Sequence, residues 1–524
     1  MSALLKRSLR TTPAEVIVAS FLLLSVIGAV LLSITEAEQW LQTAEPEHHI
    51  IELRSQSSLE EWTEQHTRPR FHERKGLSPV DAWFTATSAL CVTGLTVTDF
   101  SRFTTEGKIL VLLLIQIGGL GIFVFSSLLV IAVFRGLQEN QAFTKILAAN
   151  VDSESHDALA VVRYILLFTI TIEGGATLIM GGYLSWFADN PPIGAYDPWW
   201  WALFHSISAF NNAGFSLMPS SLVAFAYDPV INLTITASII LGGLGYPVLL
   251  AFFIYVRSGV VVSRDTRNAR QLEFVRSGVA SPVQIRIAVT GTVVLLLLGT
   301  ALIFLKEMGN PANDAVPPLK QLWPAWFMSV SARTAGFNTV SVGDMHAPTF
   351  FTLMILMFIG ANPAGTGGGI KVPTVAVLIG YIVDWFRKPG EPVILFGRRV
   401  SRFAKSHAVR LFFFAVAFLA MGVTTILYIE RQWLQTTDST FNPTKIVFET
   451  ISAFSTTGLS IGFEGSNASF SAILSDSSKV VLTFMMLFGR VGPLVVLAAL
   501  PWKRRYRNHA KSPDVPESQK VQIG

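Results

Sequence analysis

The chain has 524 residues, of which 51% are hydrophobic and only 14% are charged, and its net charge is +5. A soluble domain carries about 25% charged residues, so this composition excludes an ordinary soluble protein and predicts a chain embedded in the lipid bilayer. The basic residues flank apolar stretches, as they do in membrane proteins, and do not indicate nucleic acid as a partner. The single cysteine, Cys91, excludes an internal disulfide.

Eight apolar stretches are long enough to cross the hydrocarbon core, which needs about 20 residues of helix. The first follows Lys6, Arg7 and Arg10 and could be a signal peptide, but no small-residue cleavage site follows it, so we interpret it as a spanning helix. The stretches are 13–35, 108–134, 158–187, 229–256, 283–305, 348–386, 407–429 and 478–501.

Lysine and arginine predict the orientation. They concentrate in the N-terminal segment, in the connections 257–282 and 387–406, and in the C-terminal tail. All four segments fall on one side if eight spans alternate, and the positive-inside rule makes that side cytoplasmic. We therefore expect a multi-pass protein of the inner (cytoplasmic) membrane with both termini in the cytoplasm.

One pattern recurs four times: a short helical stretch that ends at a glycine followed by leucine or phenylalanine. The glycines Gly94, Gly214, Gly336 and Gly458 are spaced 120, 122 and 122 residues apart. Each copy predicts a pore helix and a re-entrant loop between two spanning helices. The predicted fold is an all-α membrane protein with eight transmembrane helices, arranged pseudo-fourfold around one pore as repeat A (1–136), repeat B (137–257), repeat C (258–388) and repeat D (389–508), followed by a tail (509–524).

The glycine loops have the chemistry of a filter for a monovalent cation. Glycine reaches left-handed backbone conformations that turn carbonyls toward an axis, and carbonyl rings can replace the water shell of an ion. Most loop positions are neutral, whereas a divalent filter would more often carry acidic residues. The candidate K⁺-binding residues are Val92, Thr93, Gly94, Asn211, Asn212, Ala213, Gly214, Thr334, Ala335, Gly336, Thr456, Thr457 and Gly458.

A second glycine motif follows each loop, inside the next helix. In repeats A and B (118–121 and 242–247) we interpret it as close packing between helices. In repeat C the motif belongs to the sixth stretch, 348–386, which is too long for one crossing. Its segment 361–371 is rich in glycine and bounded by prolines, so we expect the helix to break there into an irregular intramembrane loop. The loop lacks the Gly-Lys-Ser/Thr of a phosphate-binding loop.

Charged residues within the membrane are functional candidates, because they are costly to bury. Lys371 either faces the cation path or extends to the inner interface. Arg490 lies in the middle of the last span and needs partners, which we expect to be carbonyls of the loop 361–371. It either lines the constriction or acts as a purely structural latch. Arg333, beside a filter loop, is expected to brace that loop from behind.

Several acidic residues have open interpretations. Glu449 and Asp81 are expected to precede pore helices and to favour their N-terminal dipoles. Asp99 and Asp344 follow filter loops and either concentrate cations at the mouth or belong to surface loops. Glu173, in the third span, is either a buried and paired residue or a coupling site.

The four loops, the eight helices and especially Thr-Ala-Gly-Phe-Asn-Thr at 334–339 resemble the Trk/Ktr/HKT superfamily of potassium transporters, over about residues 13–505. The resemblance implies potassium uptake through one path in each subunit of a homodimer. A glycine in all four loops implies potassium selectivity, since members that lean towards sodium have serine where this chain has Gly94. The chain begins directly with the first repeat, which is more similar to the Ktr membrane subunit than to the bacterial Trk subunit.

The resemblance also implies a gate and a partner. The gate residues would be Gly365, Thr366, Gly367, Gly368, Gly369, Lys371 and Arg490. The partner would be a separate cytoplasmic ring of nucleotide-binding, RCK-type domains, which docks on the segments 135–157, 258–281 and 387–406 and on the tail. The bound ions would be K⁺, with Na⁺ as a candidate activator, and the chain itself would hold no organic cofactor and no other metal.

Two alternatives to potassium uptake are considered. A sodium or mixed Na⁺/K⁺ pathway of the same superfamily is disfavoured by Gly94. An enzyme is disfavoured because the sequence has no metal-ligand spacing and no nucleophile–base pair. Whether the protein is a channel or a coupled symporter stays open.

Overall fold

The structure, a computed structural model, describes residues 13–42, 77–120, 158–188, 191–257, 282–311, 316–387, 394–434, 442–462 and 468–492. This part of the chain is helical, apart from a hairpin of two short strands, β1 (Ile394–Leu395) and β2 (Arg398–Arg399), and short turns. The helices are α1 (Pro13–Gln42), α2 (Pro79–Leu90), α3 (Thr105–Gly119), α4 (Ala158–Trp186), α5 (Pro198–Phe210), α6 (Pro229–Leu244), α7 (Tyr246–Arg257), α8 (Pro282–Glu307), α9 (Pro318–Ser331), α10 (Ala347–Phe358), α11 (Val372–Arg387), α12 (Arg402–Ile429), α13 (Arg431–Leu434), α14 (Pro443–Ser455) and α15 (Asp476–Val491).

Four described helices, α1, α4, α8 and α12, are each long and apolar enough to cross a membrane, and the bent pair α6–α7 makes a fifth candidate. Only 17% to 39% of the apolar window of each of the four is buried inside the protein. Their apolar surface therefore faces outward, which suits lipid rather than water. The structure thus describes a multi-pass helical membrane protein.

The helices pack in groups that follow the chain. A short helix packs between two longer ones in α1–α2–α3, α4–α5–α6 and α12–α14–α15, and in the third group the long helix α8 packs against both α9 and α10. The short helices α2, α5, α9 and α14 carry many of the fully buried large side chains, among them Phe84, Trp201, Phe327 and Phe448. The core of the protein therefore surrounds the short helices and the loops that follow them.

Each short helix begins at a proline in its first turn, where the missing N–H costs nothing. In three of them the preceding residue caps the helix with its side chain, so that an oxygen accepts hydrogen bonds from the first free N–H groups. These caps are Ser78, Asp197 and Asn442. Local sequence thus fixes where the short helices start.

Carboxylates join the ends of neighbouring helices. In three groups a buried glutamate in the last two turns of the first helix, or just beyond its end, accepts hydrogen bonds from the start of the third helix. In the second group Asp228, itself the cap of α6, accepts a hydrogen bond from Tyr183 at 2.9 Å. The glutamates and their donors are Glu36 with Thr104, Glu307 with His346 and Thr349, and Glu430 with Ser475 and Ser478.

The predicted break in the sixth stretch is confirmed, because α10 ends at Phe358 and α11 begins at Val372. The stretch 229–256 remains a candidate span but is not the single unbroken helix expected, since α6 and α7 meet at a bend of 102°. The bend lies at Gly245, whose φ of +87° leaves the helical region. The carbonyl of Pro363 lies against Gly245, and the Tyr246 N–H donates to Ala364 O at 3.1 Å, so the loop of the third group contacts the bend. Close packing alone does not describe the second glycine motif here.

Some predicted features lie outside the described residues. These are the ends of the second and last stretches beyond 120 and 492, the segment 43–76 between α1 and α2, the segments 135–157 and 258–281, and the tail.

Candidate ion pathway

The four predicted filter loops share one unusual backbone conformation. In every loop the glycine has a positive φ, and so does the residue two places before it. A residue other than glycine in this region costs about 1–3 kcal/mol, and such strain is typical of functional sites. The strained residues are Val92 (φ 49°), Asn212 (φ 58°), Thr334 (φ 75°) and Thr456 (φ 50°).

The four loops meet in a closed ring. A Cβ atom on any of the four glycines would lie 2.6 Å or less from the carbonyl oxygen of the residue before the glycine in the next loop. Two constraints therefore require glycine at these positions: the positive φ of the residue itself, and the carbonyl of the next loop, which leaves no space for a Cβ atom. The contacts run in cyclic order, and the pairs are Gly94 with Ala213, Gly214 with Ala335, Gly336 with Thr457, and Gly458 with Thr93.

Serines of the short helices hold the loops from behind. The Gly94 N–H donates to Ser88 Oγ at 3.1 Å, and the Gly458 N–H donates to a serine oxygen in the same way at 3.0 Å. In the second loop Ser208 Oγ donates to the Phe215 carbonyl at 2.8 Å. Serines of the short helices thus fix the conformation of the loops that follow these helices.

A cavity of about 510 Å³ opens on one side of the ring. It is lined by the four glycines and by Asp99, Asp344 and Lys445. Asp99 also accepts hydrogen bonds from Ser101, at 3.0 Å from the N–H and 2.7 Å from Oγ. Asp99 and Asp344, whose roles the sequence left open, therefore both border the mouth of the ring. Lys445 borders it as well.

The segment 359–371, which connects α10 and α11, packs against the ring and does not line this cavity. Its two ends pair as a stem, in which the Gly360 N–H donates to Ile370 O at 3.0 Å. Its tip packs against the end of α5 and against two of the predicted filter loops. Thr366 Oγ1 donates to Phe210 O at 3.1 Å, and the backbones of Gly367 and Gly368 lie against the side chains of Thr334 and Thr456 respectively.

Arg490 on α15 holds the tip of this loop. Its Nη1 donates to the carbonyl of Thr366 and its Nη2 to the carbonyl of Gly118 at the end of α3. The prediction that its partners are carbonyls of the loop 361–371 is confirmed. The second partner was missed, because no sequence signal links residues that lie 372 positions apart.

Lys371 folds back over its own loop. Its Nζ donates to Gly367 O at 2.7 Å and lies 3.4 Å from Gly368 O. The ammonium therefore binds the loop backbone and does not extend away to an interface. Gly365 packs on the backbone of α6, and Gly369 has a positive φ of 68° beside Gly360.

Glu173 is a buried and paired residue, the first of its two interpretations. Its Oε1 accepts a hydrogen bond from Asn211 Nδ2 at 2.9 Å, and its Oε2 accepts one from Gln116 Nε2 at 3.2 Å. The Asn211 amide is thus directed behind its filter loop, toward α3 and α4. The side chain of Asn211, one of the predicted filter residues, therefore supports the ring from behind.

The predicted position of Glu449 is wrong, because this residue lies in the middle of α14. Its Oε1 accepts hydrogen bonds from the N–H and Oγ of Ser471, at 2.9 and 2.5 Å. The helix starts earlier because Asn442 caps it. Asp81 does lie in the first turn of α2, and it forms a buried ion pair with Lys479 Nζ at 2.5 Å, which sequence did not indicate.

Apolar outward-facing helices around a ring of four backbone loops define a membrane protein built to pass a small ion. The chain matches the TrkH family, described as cation transport protein, over residues 13–504. It is 32% identical over 492 residues to Ktr system potassium uptake protein B of Bacillus subtilis (strain 168), covering 93% of this chain and 92% of that protein. It is 34% identical over 426 residues to the protein of the same name from Vibrio alginolyticus, covering 80% and 84% of the two chains.

The fold is similar to the crystal structure of the potassium transporter TrkH from Vibrio parahaemolyticus, with a TM-score of 0.59, 17% identity, and coverage of 93% of this chain and 98% of that one. The chain belongs to the TrkH family of cation transport proteins. The predicted membership in the Trk/Ktr/HKT superfamily is confirmed, as is the greater similarity to the Ktr membrane subunit. The protein is a membrane transporter and not an enzyme.

Proposed function

We propose that the protein takes up potassium across the cytoplasmic membrane, as the ion-translocating subunit of a Ktr-type system. The observation that carries this proposal is the closed ring of glycine loops. A ring of backbone carbonyls can replace the hydration shell of K⁺ without fixed charge. The short helices end at the ring, so the negative ends of their dipoles favour a cation there.

The proposed filter consists of the residues two and one before each glycine, together with the glycine. The strained residues would present carbonyls to the axis on one level, and Thr93, Ala213, Ala335 and Thr457 on the next. Asn211 would contribute by holding its loop through Glu173 and Gln116.

The proposed architecture has eight crossings in four repeats, with both termini in the cytoplasm. The repeated group of two long helices and one short helix supports the repeat boundaries expected from the sequence. The third helix of each repeat would complete its crossing next to the ring. The cavity bordered by Asp99 and Asp344 would then face the outside, and the loop 361–371 would face the cytoplasm.

The loop 361–371 is the proposed gate. Its support is the contact of its tip with two filter loops and with the end of α5, and the two hydrogen bonds of Arg490 that tie the tip to α3 and α15. In this position the loop obstructs the path of an ion leaving the filter. Arg490 and Lys371 would hold the closed loop, and movement of the surrounding helices would release it.

We further propose a homodimer that binds a cytoplasmic ring of nucleotide-binding, RCK-type subunits. The similarity to Ktr membrane subunits supports this assembly. The exposed Arg398 and Arg399 of the β1–β2 hairpin offer a basic surface for docking. Co-purification of this chain with a candidate ring, and its loss when both arginines are changed to glutamate, would test the proposal.

Rescue of a bacterium that lacks potassium uptake tests the proposed function. Cells expressing the protein, with and without a candidate regulatory subunit, should grow in low potassium. Adding sodium would show whether Na⁺ activates or accompanies the flux. Uptake of sodium without preference for potassium would instead favour the alternative sodium or mixed pathway, and failure to move either ion despite membrane insertion would contradict the proposal.

A further inference from the structure

A buried guanidinium connects the filter loop of repeat C to the gate loop. Arg333 lies three residues before Gly336 and is only 6% exposed. Its Nη2 donates to Gly360 O at 3.1 Å, and its Nη1 donates to Thr292 O at 3.5 Å. Both partners are neutral carbonyls. Burying a charge against neutral partners is costly, so a simple packing role would be better served by an apolar side chain.

Gly360 is part of the stem of the gate loop. The Gly360 N–H donates to Ile370 O at 3.0 Å, and the Ala361 N–H donates to Gly368 O at 3.2 Å. These bonds join the two ends of the loop, so the Gly360 carbonyl must move when the stem moves. Arg333 therefore holds an atom of the gate while its own backbone continues directly into the filter residue Thr334.

Helix α8 provides a fixed point beside this contact. The carbonyl of Thr292 accepts the bond from Arg333, and its Oγ1 accepts a hydrogen bond from Asn362 Nδ2 at 3.1 Å. Filter loop and gate stem thus meet at one residue of a spanning helix. A displacement of the stem relative to α8 would change both bonds.

The equivalent positions in two other repeats have different contacts. Asn211 binds Glu173 and Gln116, on helices that belong to the first two repeats. Ser455 donates to Ile451 O in its own helix at 2.5 Å and lies 3.0 Å from Thr457 Oγ1. Arg333, by contrast, reaches the gate stem. The backbone of the ring is fourfold, but the side chains behind it are specific to each repeat.

The surroundings of Arg333 leave room for a shift. Its buried Nε has no hydrogen-bond partner among the described residues. A cavity of about 20 Å³ lies beside it, lined by Thr292, Gly243 and Ala361 among others. A guanidinium with an unused donor and adjacent space can follow a small movement of the stem without colliding with its neighbours.

We propose that Arg333 is a positioning residue that couples the gate to the filter. Movement of the stem is transmitted through the Gly360 carbonyl and Arg333 to Thr334, so the preference of the filter for K⁺ over Na⁺ depends on the state of the gate. This inference rests on the proposed function, in which the ring is the filter and 361–371 is the gate.

The test is a double-mutant cycle in proteoliposomes of the purified protein. Arg490→Ala releases the tip of the gate loop, and Arg333→Gln removes the link. Two concentrations are measured: that of Na⁺ and that of K⁺ at which uptake of a rubidium tracer falls to half. The readout is the ratio of the first concentration to the second. We expect Arg490→Ala alone to change this ratio by about fivefold, a typical size for coupling between two sites, and to change it little when Arg333→Gln is also present. A change of equal size with and without Arg333, or no change in Arg490→Ala, would overturn the coupling.

Ser455→Ala is the matched control, because it alters the equivalent position of repeat D and should leave the effect of Arg490→Ala intact. If Arg333→Gln is not recovered from membranes, Arg333→Lys replaces it. This variant keeps the charge, but a single ammonium cannot reach both carbonyls in the planar geometry of a guanidinium, so the effect of Arg490→Ala should again be reduced. Absence of rubidium uptake by the unmodified protein would contradict the proposed function and not the coupling.

Discussion

At the scale of single residues, the four glycines of the ring are positions where two physical requirements coincide. Gly94 has a φ of +93°, and a Cβ atom there would lie 2.5 Å from the carbonyl oxygen of Ala213. The sequence predicts the first requirement, because a glycine that ends a helix in four places indicates a special backbone conformation. It cannot predict the second, since the obstructing carbonyl belongs to a loop about 120 residues away.

Gly94→Ser should reduce the preference for K⁺ over Na⁺ by about tenfold, which corresponds to a change of 1.4 kcal/mol. The side chain would push the first loop away from the second and widen the ring. Competition between the two ions for uptake measures this preference. Gly309→Ser is the matched control: Gly309 also has a positive φ, of 80°, but no atom of the other described residues, its chain neighbours aside, lies within 4 Å of the position of its Cβ. An unchanged preference in Gly94→Ser would contradict a filter at this ring.

Arg490→Ala should raise uptake in the absence of any regulatory subunit, by about tenfold. The guanidinium makes two hydrogen bonds to carbonyls, and a hydrogen bond to a charged group contributes about 1.5–3 kcal/mol. Their loss frees the tip of the gate loop. Tracer uptake and thermal stability are measured together. Reduced stability with unchanged uptake would mean that Arg490 is a structural latch.

At the scale of elements, the sequence predicts a helix break where glycines and prolines are frequent and misses a break where they are few. Glycines crowd the segment 361–371, Pro363 lies in it and Pro373 just after it, and the break there was expected. The break between α6 and α7 depends on Gly245 and Pro247, with apolar residues on both sides, so the pattern indicates one continuous span. The loop 361–371 contacts this bend through the carbonyl of Pro363, which lies against Gly245, and local sequence does not reveal that contact.

The glutamate caps at the helix ends are a further device that local sequence does not reveal. Glu430 is fully buried and accepts hydrogen bonds from Ser475 at the start of α15. Glu430→Ala should lower the free energy of unfolding by about 1–3 kcal/mol, because buried donors lose their acceptor. A lower midpoint of thermal unfolding in detergent would report this. Glu106→Gln, at an exposed position in the first turn of α3, should leave the midpoint unchanged. An equal effect of both substitutions would contradict a capping role.

At the scale of the whole molecule, a ring made from one chain has three joints that the chain connects and one that it does not. The last and first repeats meet at this fourth joint. The Thr96 N–H donates to Ser469 Oγ at 3.0 Å, and the Ser469 N–H donates back to Thr96 O at the same distance. The ion pair between Asp81 and Lys479 lies at the same joint, with side chains only 7% and 5% exposed. Non-covalent contacts must therefore close the ring at the joint where the chain does not connect the repeats.

Asp81→Asn should destabilise the protein by about 3–5 kcal/mol, because it leaves the ammonium of Lys479 buried without its partner. Lys479→Met should cost a similar amount. The double variant should recover much of this loss, since two neutral side chains at the joint require no compensating charge. Thermal unfolding of the four proteins gives the coupling energy between the two residues.

Potassium uptake should follow stability in this series, because the joint holds the first and last filter loops together. If the double variant regains stability and selective uptake, the ion pair serves closure of the ring alone. If it regains stability without selectivity, the charges themselves shape the filter. Additive losses in the double variant would contradict a direct interaction between Asp81 and Lys479.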